Sequence, residues 1–263
     1  MFCSKFEKIP SMKISAVIIA CNEEEKIAAA VRSVSWADEI LLVDSGSADR
    51  TREIAAELGA RVVEQEWLGF SRQKQFAVER ASYDWIFSLD ADERVSDKLQ
   101  AELIALKEKP ENELAAGYRI PRLSFYLGRP VRRGGWYPDW QLRFFDRRRG
   151  RWKEVLVHES VEVTGEVRRL KSDILHYSVD DAAQHHRMIG ERYAPLAAEQ
   201  MYRAGRRTAP FKIMTAGLAA FLQTYVLKLG FLDGLAGFAI ARFAGHHAFL
   251  KHLLLWEKQR RVD

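Results

Sequence analysis

Trp85-Ile86-Phe87-Ser88-Leu89-Asp90-Ala91-Asp92 is the stretch on which the reading of this chain turns: a buried-strand run that ends in two carboxylates two positions apart. Packing does not account for them, because isolated ionised groups are costly to desolvate and are normally paired or metal-bound. Hard divalent cations that bind phosphates take one or two protein carboxylates and fill their remaining positions with water and phosphate oxygens. A nucleotide diphosphate suits that chemistry. The same spacing also describes an acidic turn, since Asp hydrogen-bonds its own backbone in turns, so the neighbouring sequence has to separate the two readings.

Upstream, short apolar strands alternate with amphipathic helices: strands at 14–20, 40–43, 61–63 and 85–89, helices at 24–34, 51–58 and 71–80. Strand and helix in strict turn predict a parallel sheet with crossover helices, whose ligands bind beyond the carboxyl ends of the strands. The polar residues fall at those ends: Cys21-Asn22-Glu23 after the first strand, Asp44-Ser45-Gly46-Ser47 after the second, and Asp90-Ala91-Asp92 after the fourth. Asp44 is placed to accept from a base or ribose, and Ser47 or Asp49 to cap the following helix; the bland reading of that string is turn and cap chemistry alone. Further on, a helix is expected over 95–107, strands and loops rich in Arg and aromatics over 116–163, and a helix over 180–202.

The chain has 263 residues, 48% of them hydrophobic, enough for one large domain or a domain with an appendage and too apolar for a disordered protein. Two cysteines, Cys3 and Cys21, are too few for a disulfide framework and point to a reducing compartment. Residues 1–12 are basic but lack the apolar core of a signal peptide, which leaves Met12 as a second candidate start. The net charge of +5 is concentrated between Arg119 and Arg151 and in the last sixty or so residues, implying an anionic partner: nucleic acid, an acidic membrane surface or a phosphorylated substrate.

Ile18-Ile19-Ala20-Cys21-Asn22-Glu23-Glu24, Val43-Asp44-Ser45-Gly46-Ser47-Ala48-Asp49-Arg50-Thr51 and Leu89-Asp90-Ala91-Asp92-Glu93, in that order and spacing, resemble the family 2 inverting glycosyltransferases of GT-A fold. Gly69-Phe70-Ser71-Arg72-Gln73-Lys74-Gln75, Val157-His158-Glu159 and the segment from Tyr225 to Gly234 narrow the resemblance to the lipopolysaccharide inner-core β-1,4-glucosyltransferase branch. The fold it implies is α/β, Rossmann-like, with a mainly parallel central sheet and a C-terminal amphipathic helical extension. It implies that Asn22, Glu23, Asp44, Lys74 and Asp90 bind the nucleotide sugar, that Asp92 and His176 hold a divalent metal, Mg²⁺ or Mn²⁺, and that Glu159 is the catalytic base. Read by pattern alone, Glu159 alternates with Val157 and Val161 on a strand and faces solvent, and a lone His such as His176 is a structural residue. The Gln-x-x-Arg-Trp signature of processive synthases is missing, with Gln141-Leu142-Arg143-Phe144-Phe145 a partial echo, so transfer of a single sugar is expected.

Trp136, Tyr137, Trp140 and Arg143 lie among Arg129, Arg132, Arg133 and Arg147, a mixture that suits a phosphorylated or acidic glycan acceptor. Aromatics with Arg also describe a single-strand nucleic-acid site, but no RNA-binding module accompanies them, and no nucleic acid partner is expected. In the tail, Leu218, Phe221, Leu222, Tyr225, Val226 and Leu229 recur at helical spacing. The uncharged run between Lys212 and Lys228 is 15 residues, short of the ~20 that span a bilayer, and predicts helices lying on an acidic membrane surface; packing on the catalytic domain or a dimer interface is the alternative.

These readings divide the chain into an extension 1–12, a catalytic domain 13–178 with a nucleotide-sugar half (13–94) and an acceptor half (95–178), and a helical membrane-associating part 179–263. The expected function is metal-dependent transfer of a hexose, glucose above all, from a UDP-sugar to a lipopolysaccharide core oligosaccharide or similar lipid-linked glycan, at the cytoplasmic face of the membrane. Two alternatives stand beside it: a polyprenyl-phosphate glycosyltransferase, and a basic peripheral membrane or nucleic-acid binding protein on a degenerate transferase scaffold.

Overall fold

Every residue of β1 (Ile14–Ala20) is buried, as befits a strand covered on both faces. In the computed structural model, which describes residues 12–153, 159–179 and 181–260, Ile14, Ala16 and Ile18 enter one core while Val17 and Ile19 enter the other. The chain continues through α1 (Glu24–Ser33), β2 (Glu39–Asp44), α2 (Thr51–Glu57), β3 (Arg61–Glu64), α3 (Phe70–Arg80) and β4 (Trp85–Asp90), the alternation expected from the sequence. Ile27, Ala30 and Val31 of α1 close the first core and Ala77 and Val78 of α3 the second. All four strands run parallel in the order β3-β2-β1-β4. Strand order therefore reverses between β1 and β4, and a crevice opens beyond their carboxyl ends.

The remaining strands make the sheet mixed. After β4 come β5 (Glu93–Val95), α4 (Asp97–Lys107), β6 (Gly117–Tyr126), β7 (Arg129–Pro130), β8 (Asp139–Asp146), β9 (Gly150–Trp152), β10 (Val161–Val163), β11 (Val167–Arg169) and β12 (Ile174–Val179). The sheet extends from β4 through β8, β6 and β12 to β5, with β8 antiparallel to β4 and β12 antiparallel to β5. α4 begins two residues later than expected because Val95 pairs with Ile174 and Ser96 caps the helix, its Oγ accepting from Leu99 N at 3.3 Å.

The described residues form two compact units, one from 12–122 and 139–176, the other from 123–138 and 177–260. The second unit thus takes up 123–138, which the sequence reading assigned to the acceptor half of the catalytic domain. Burial explains the difference: Tyr126 and Val131 share a core with Val179, Ala236 and Ile240. Its helices are α5 (Ala182–Arg187), α6 (Ala194–Arg203), α7 (Pro210–Leu222) and α8 (Gly234–Arg260). The helix expected over 180–202 is interrupted by a wider turn at Met188–Tyr193, directly before Pro195, which has no N–H to give to a regular ladder. Among the described residues no helix is long and apolar enough to cross a membrane. Of the expected features, residues 1–11, Val157 and His158 lie outside the described residues.

His185 is buried in the second unit, its Nδ1 3.1 Å from the Tyr126 hydroxyl and its ring 4.3 Å from that of Phe243. Burial pushes its imidazole down to about 4. Between that value and the ordinary His range the unfolded chain binds the extra proton, so stability falls as pH drops through this window. Urea titrations should therefore lose about 3 kcal/mol between neutral pH and pH 4 through this group, and His185→Gln should remove that part of the slope.

Candidate functional site

The loops after β1 and β2 are tied into one another. Asn22 adopts φ +56°, a left-handed conformation that Asn tolerates better than most residues. Its N–H donates to Ser47 Oγ at 2.8 Å, and its side-chain Oδ1 accepts from Ala48 N at 2.8 Å. Glu23 N donates to Thr51 Oγ1 at 2.8 Å. Asp44 is fully buried and accepts from Gly46 N at 3.0 Å, Ser47 N at 2.8 Å and the Ser47 hydroxyl. Its carboxylate is thus turned onto its own loop, with Gly46 at φ +85° supplying the bend.

After β4 the two acidic residues separate in role. Lys74 Nζ, brought over by α3, stands 2.8 Å from Asp90 Oδ1, and Arg143 Nη2 on β8 stands 2.7 Å from Asp90 Oδ2. Burial alone would raise the Asp90 carboxyl, but the Arg143 and Lys74 cations outweigh it and hold the group well below the usual carboxylate range. Arg143 also donates to the fully buried Glu93 at 3.0 Å; Glu93 pairs with Arg122 at 3.1 Å, and Arg122 with Asp139 at 2.7 Å. The flanking residues of α3 fix the lysine: Gln73 Nε2 donates to Ser45 Oγ at 3.0 Å, and Gln75 Oε1 accepts from Trp152 N at 3.0 Å. Lys74 Nζ also lies 4.9 Å from the Trp152 ring centroid and 3.5 Å from Glu159 Oε2. Two carboxylates 69 residues apart in sequence, Asp90 and Glu159, thus share one ammonium.

Arg143 departs from the acceptor-facing position expected of it. It is 2% exposed and neutralises Asp90 and Glu93 from beneath the site. Arg143→Ala should destabilise the protein by about 3–5 kcal/mol in urea unfolding, because it strands buried carboxylates without their cation.

Asp92 points elsewhere. Antiparallel pairing of β12 with β5 sets His176 opposite Glu93, and His176 Nε2 then lies 3.3 Å from Asp92 Oδ2. Both line a cleft of about 510 Å³ together with Glu23, Ser45, Asp90 and, on its apolar side, Trp67 and Phe70. A carboxylate oxygen and an imidazole nitrogen side by side on a cleft fit a Mg²⁺- or Mn²⁺-type ion that takes its other ligands from water and phosphate. Among the described residues no group of three His, Cys, Asp or Glu side chains gathers as a self-sufficient metal cage.

Of the expected acceptor residues, Trp140 lies in the first unit with the Arg169 guanidinium 4.7 Å from its ring centroid. Trp136 and Tyr137 belong to the second; Trp136 packs edge-on to Tyr126 at 6.2 Å, and Arg132 lies 5.5 Å from the Tyr137 centroid. Trp67 and Phe70, in edge contact at 4.7 Å, were missed by the sequence reading, as was the Glu93–Arg122 pair. Their signal was present: Trp67 follows the third strand of a parallel set, where ligand-facing loops begin.

Residues 15–164 match the family described as Glycosyl transferase family 2. The lipopolysaccharide core biosynthesis glycosyltransferase LpsC of Rhizobium meliloti (strain 1021) is 30% identical over 263 residues, covering 95% of this chain and 94% of LpsC. The uncharacterized glycosyltransferase RP128 of Rickettsia prowazekii (strain Madrid E) is 29% identical over 249 residues, 88% of this chain and 84% of its own. Among solved structures, S. aureus TarS 1–349 in complex with UDP-GlcNAc matches 96% of this chain and 93% of that one, with a TM-score of 0.50 at 14% identity, a likeness of fold.

Proposed function

Because this chain belongs to glycosyl transferase family 2, we propose that it moves a hexose from a UDP-sugar to a lipopolysaccharide core oligosaccharide, or a similar lipid-linked glycan, with inversion at the anomeric carbon. The observation that carries this reading is the convergence of Lys74 on Asp90 and Glu159 beside a cleft lined by Asp92 and His176. Glu159 is the base: it takes the proton of the acceptor hydroxyl as that oxygen attacks the anomeric carbon. The bond to the diphosphate breaks on the opposite face, and UDP leaves with the electron pair. Lys74 holds the Glu159 carboxylate in place by charge and brings a cation toward the region where the leaving group gains charge. Asp92 and His176 would hold a divalent cation, which when bound supplies positive charge to the leaving diphosphate. Asp90, already neutralised by two cations, positions Lys74.

Asn22 and Asp44 shape the nucleotide loop through the hydrogen bonds they make within it, while Glu23 lines the cleft. Trp67 and Phe70 offer aromatic surface to the base. Trp67→Ala should raise the donor KM about tenfold with kcat little changed, the pattern of lost uniform binding in steady-state kinetics. Trp140 is the proposed acceptor contact of the first unit, and the reaction is assigned to the cytoplasmic face of the membrane, where a lipid-linked acceptor meets a nucleotide donor.

UDP release by the purified chain, measured over a panel of UDP-sugars with Mg²⁺ or Mn²⁺ and a membrane-lipid extract as acceptor, tests the proposal. Cation-dependent release with at least one donor, accelerated by the extract, is the expected result. Absence of turnover with every donor refutes it.

A further inference from the structure

The α7–α8 hairpin of the second unit carries an apolar surface that its own packing leaves uncovered. The two helices meet at a glycine pair, where a Cβ on Gly245 would stand 2.8 Å from the Gly217 carbonyl oxygen and one on Gly217 3.1 Å from that of Gly245. On the other side of α7, Phe211, Met214, Leu218 and Leu222 form one stripe at helical spacing, exposed by 76, 79, 63 and 45%. The stripe leads to the connecting turn, where Leu227 and Leu235 are 77 and 76% exposed. Apolar surface this continuous marks an interaction site.

Charge selects its occupant. Between residues 204 and 256 the sequence has six basic residues, among them Arg206, Arg207, Lys212 and Lys228, against the single acid Asp233. The Asp233 carboxylate accepts from the backbone N–H groups of Arg132 and Arg133 at 3.0 and 2.7 Å, so it is engaged by the neighbouring loop. A second copy meeting this patch through two-fold symmetry would set the basic residues against themselves with no carboxylate between them. Anionic headgroups above an apolar layer match both features at once.

We propose that the α7–α8 hairpin seats the protein on an anionic bilayer, with the α7 stripe and the 227–235 turn entering the interface. The same turn holds the loop 132–135: Gly134 N donates to Lys228 O at 2.9 Å, and a Cβ on Gly135 would meet Lys228 Nζ at 2.8 Å. Seating the hairpin therefore sets Arg132, Arg133 and Tyr137 at headgroup level, where the first sugars of a lipid-linked glycan emerge; this consequence rests on the acceptor class proposed above.

Co-sedimentation of the full chain with phosphatidylcholine vesicles, with and without phosphatidylglycerol, tests the seating, alongside UDP release with a detergent-solubilised acceptor as an independent measure of transfer. The protein should sediment with anionic vesicles and bind about tenfold more weakly to neutral ones or at high salt. Met214→Ser/Leu218→Ser/Leu227→Ser/Leu235→Ser should weaken vesicle binding by a further factor of about ten or more while UDP release in detergent is unchanged. Failure of the parent to sediment, unaltered binding by the variant, or a dimer in light scattering that the variant converts to monomer would overturn the proposal. Should the variant melt early, a polarity-sensitive dye on L227C in a C3S/C21S background takes over. Its emission shifts to the blue on anionic vesicles, and an unshifted spectrum overturns the seating. Loss of UDP release with vesicle binding intact would instead strike the transfer reading.

Discussion

Asp92→Asn should lower UDP release from the donor sugar about 10³-fold while leaving the unfolding free energy measured in urea within about 0.5 kcal/mol of the parent. The two carboxylates of Asp90-Ala91-Asp92 make opposite predictions because their surroundings differ. Asp90 is engaged by Lys74 and Arg143, so its loss strands two buried cations and should be read first as instability. Asp92 meets His176 at 3.3 Å on the cleft wall, and its amide keeps the size of the side chain while removing the charge that would hold a divalent cation. Titrating Mg²⁺ or Mn²⁺ into the assay distinguishes the cause: the variant should need far more cation for whatever activity remains. Turnover within a few-fold of the parent at the same cation concentration would remove Asp92 from the metal site.

Glu159→Gln should reduce sugar transfer by about 10²- to 10⁴-fold, the range that a positioned general base contributes. Glutamine retains an oxygen that can accept from Lys74 Nζ, which stands 3.5 Å from the native carboxylate, so the local arrangement is kept. What the amide would lose is the proton-accepting ability that the proposed base role requires. Donor affinity, measured by calorimetry with the UDP-sugar and no acceptor, should stay within about threefold, because the base acts on the acceptor hydroxyl and not on the nucleotide. An unchanged transfer rate would assign the base elsewhere. A collapse of donor affinity would make Glu159 a binding residue.

The parallel half of the sheet was legible because burial leaves a direct mark on sequence. A strand covered on both faces, such as β1, reads as a continuous apolar run, and crossover helices carry their own period. Chain punctuation was legible in part: the glycine of the Asp44 loop sits where φ is +85°, whereas α4 starts behind its Ser96 cap, two residues past the expected position. Segments with weaker local signals read less well. The three-residue β5 has no period of its own and exists because β12 pairs with it. Trp136 packs edge-on to Tyr126 in the second unit, a contact no local pattern announces, since an aromatic ring carries no local sign of which surface it covers.

Sequence by itself determined that this chain is an α/β protein with acidic loops at the ends of parallel strands, because burial, periodicity and turn chemistry are local properties of a few adjacent residues. Tertiary structure alone decided what each charge does. The ammonium of Lys74 comes from a helix, the guanidinium of Arg143 from an antiparallel strand and the imidazole of His176 from the strand that pairs with β5. Coulomb energy depends on distance and burial, not on separation along the chain, so Asp90 and Asp92 look alike in sequence and become a neutralised anchor and a cleft-facing carboxylate only when those distant groups arrive.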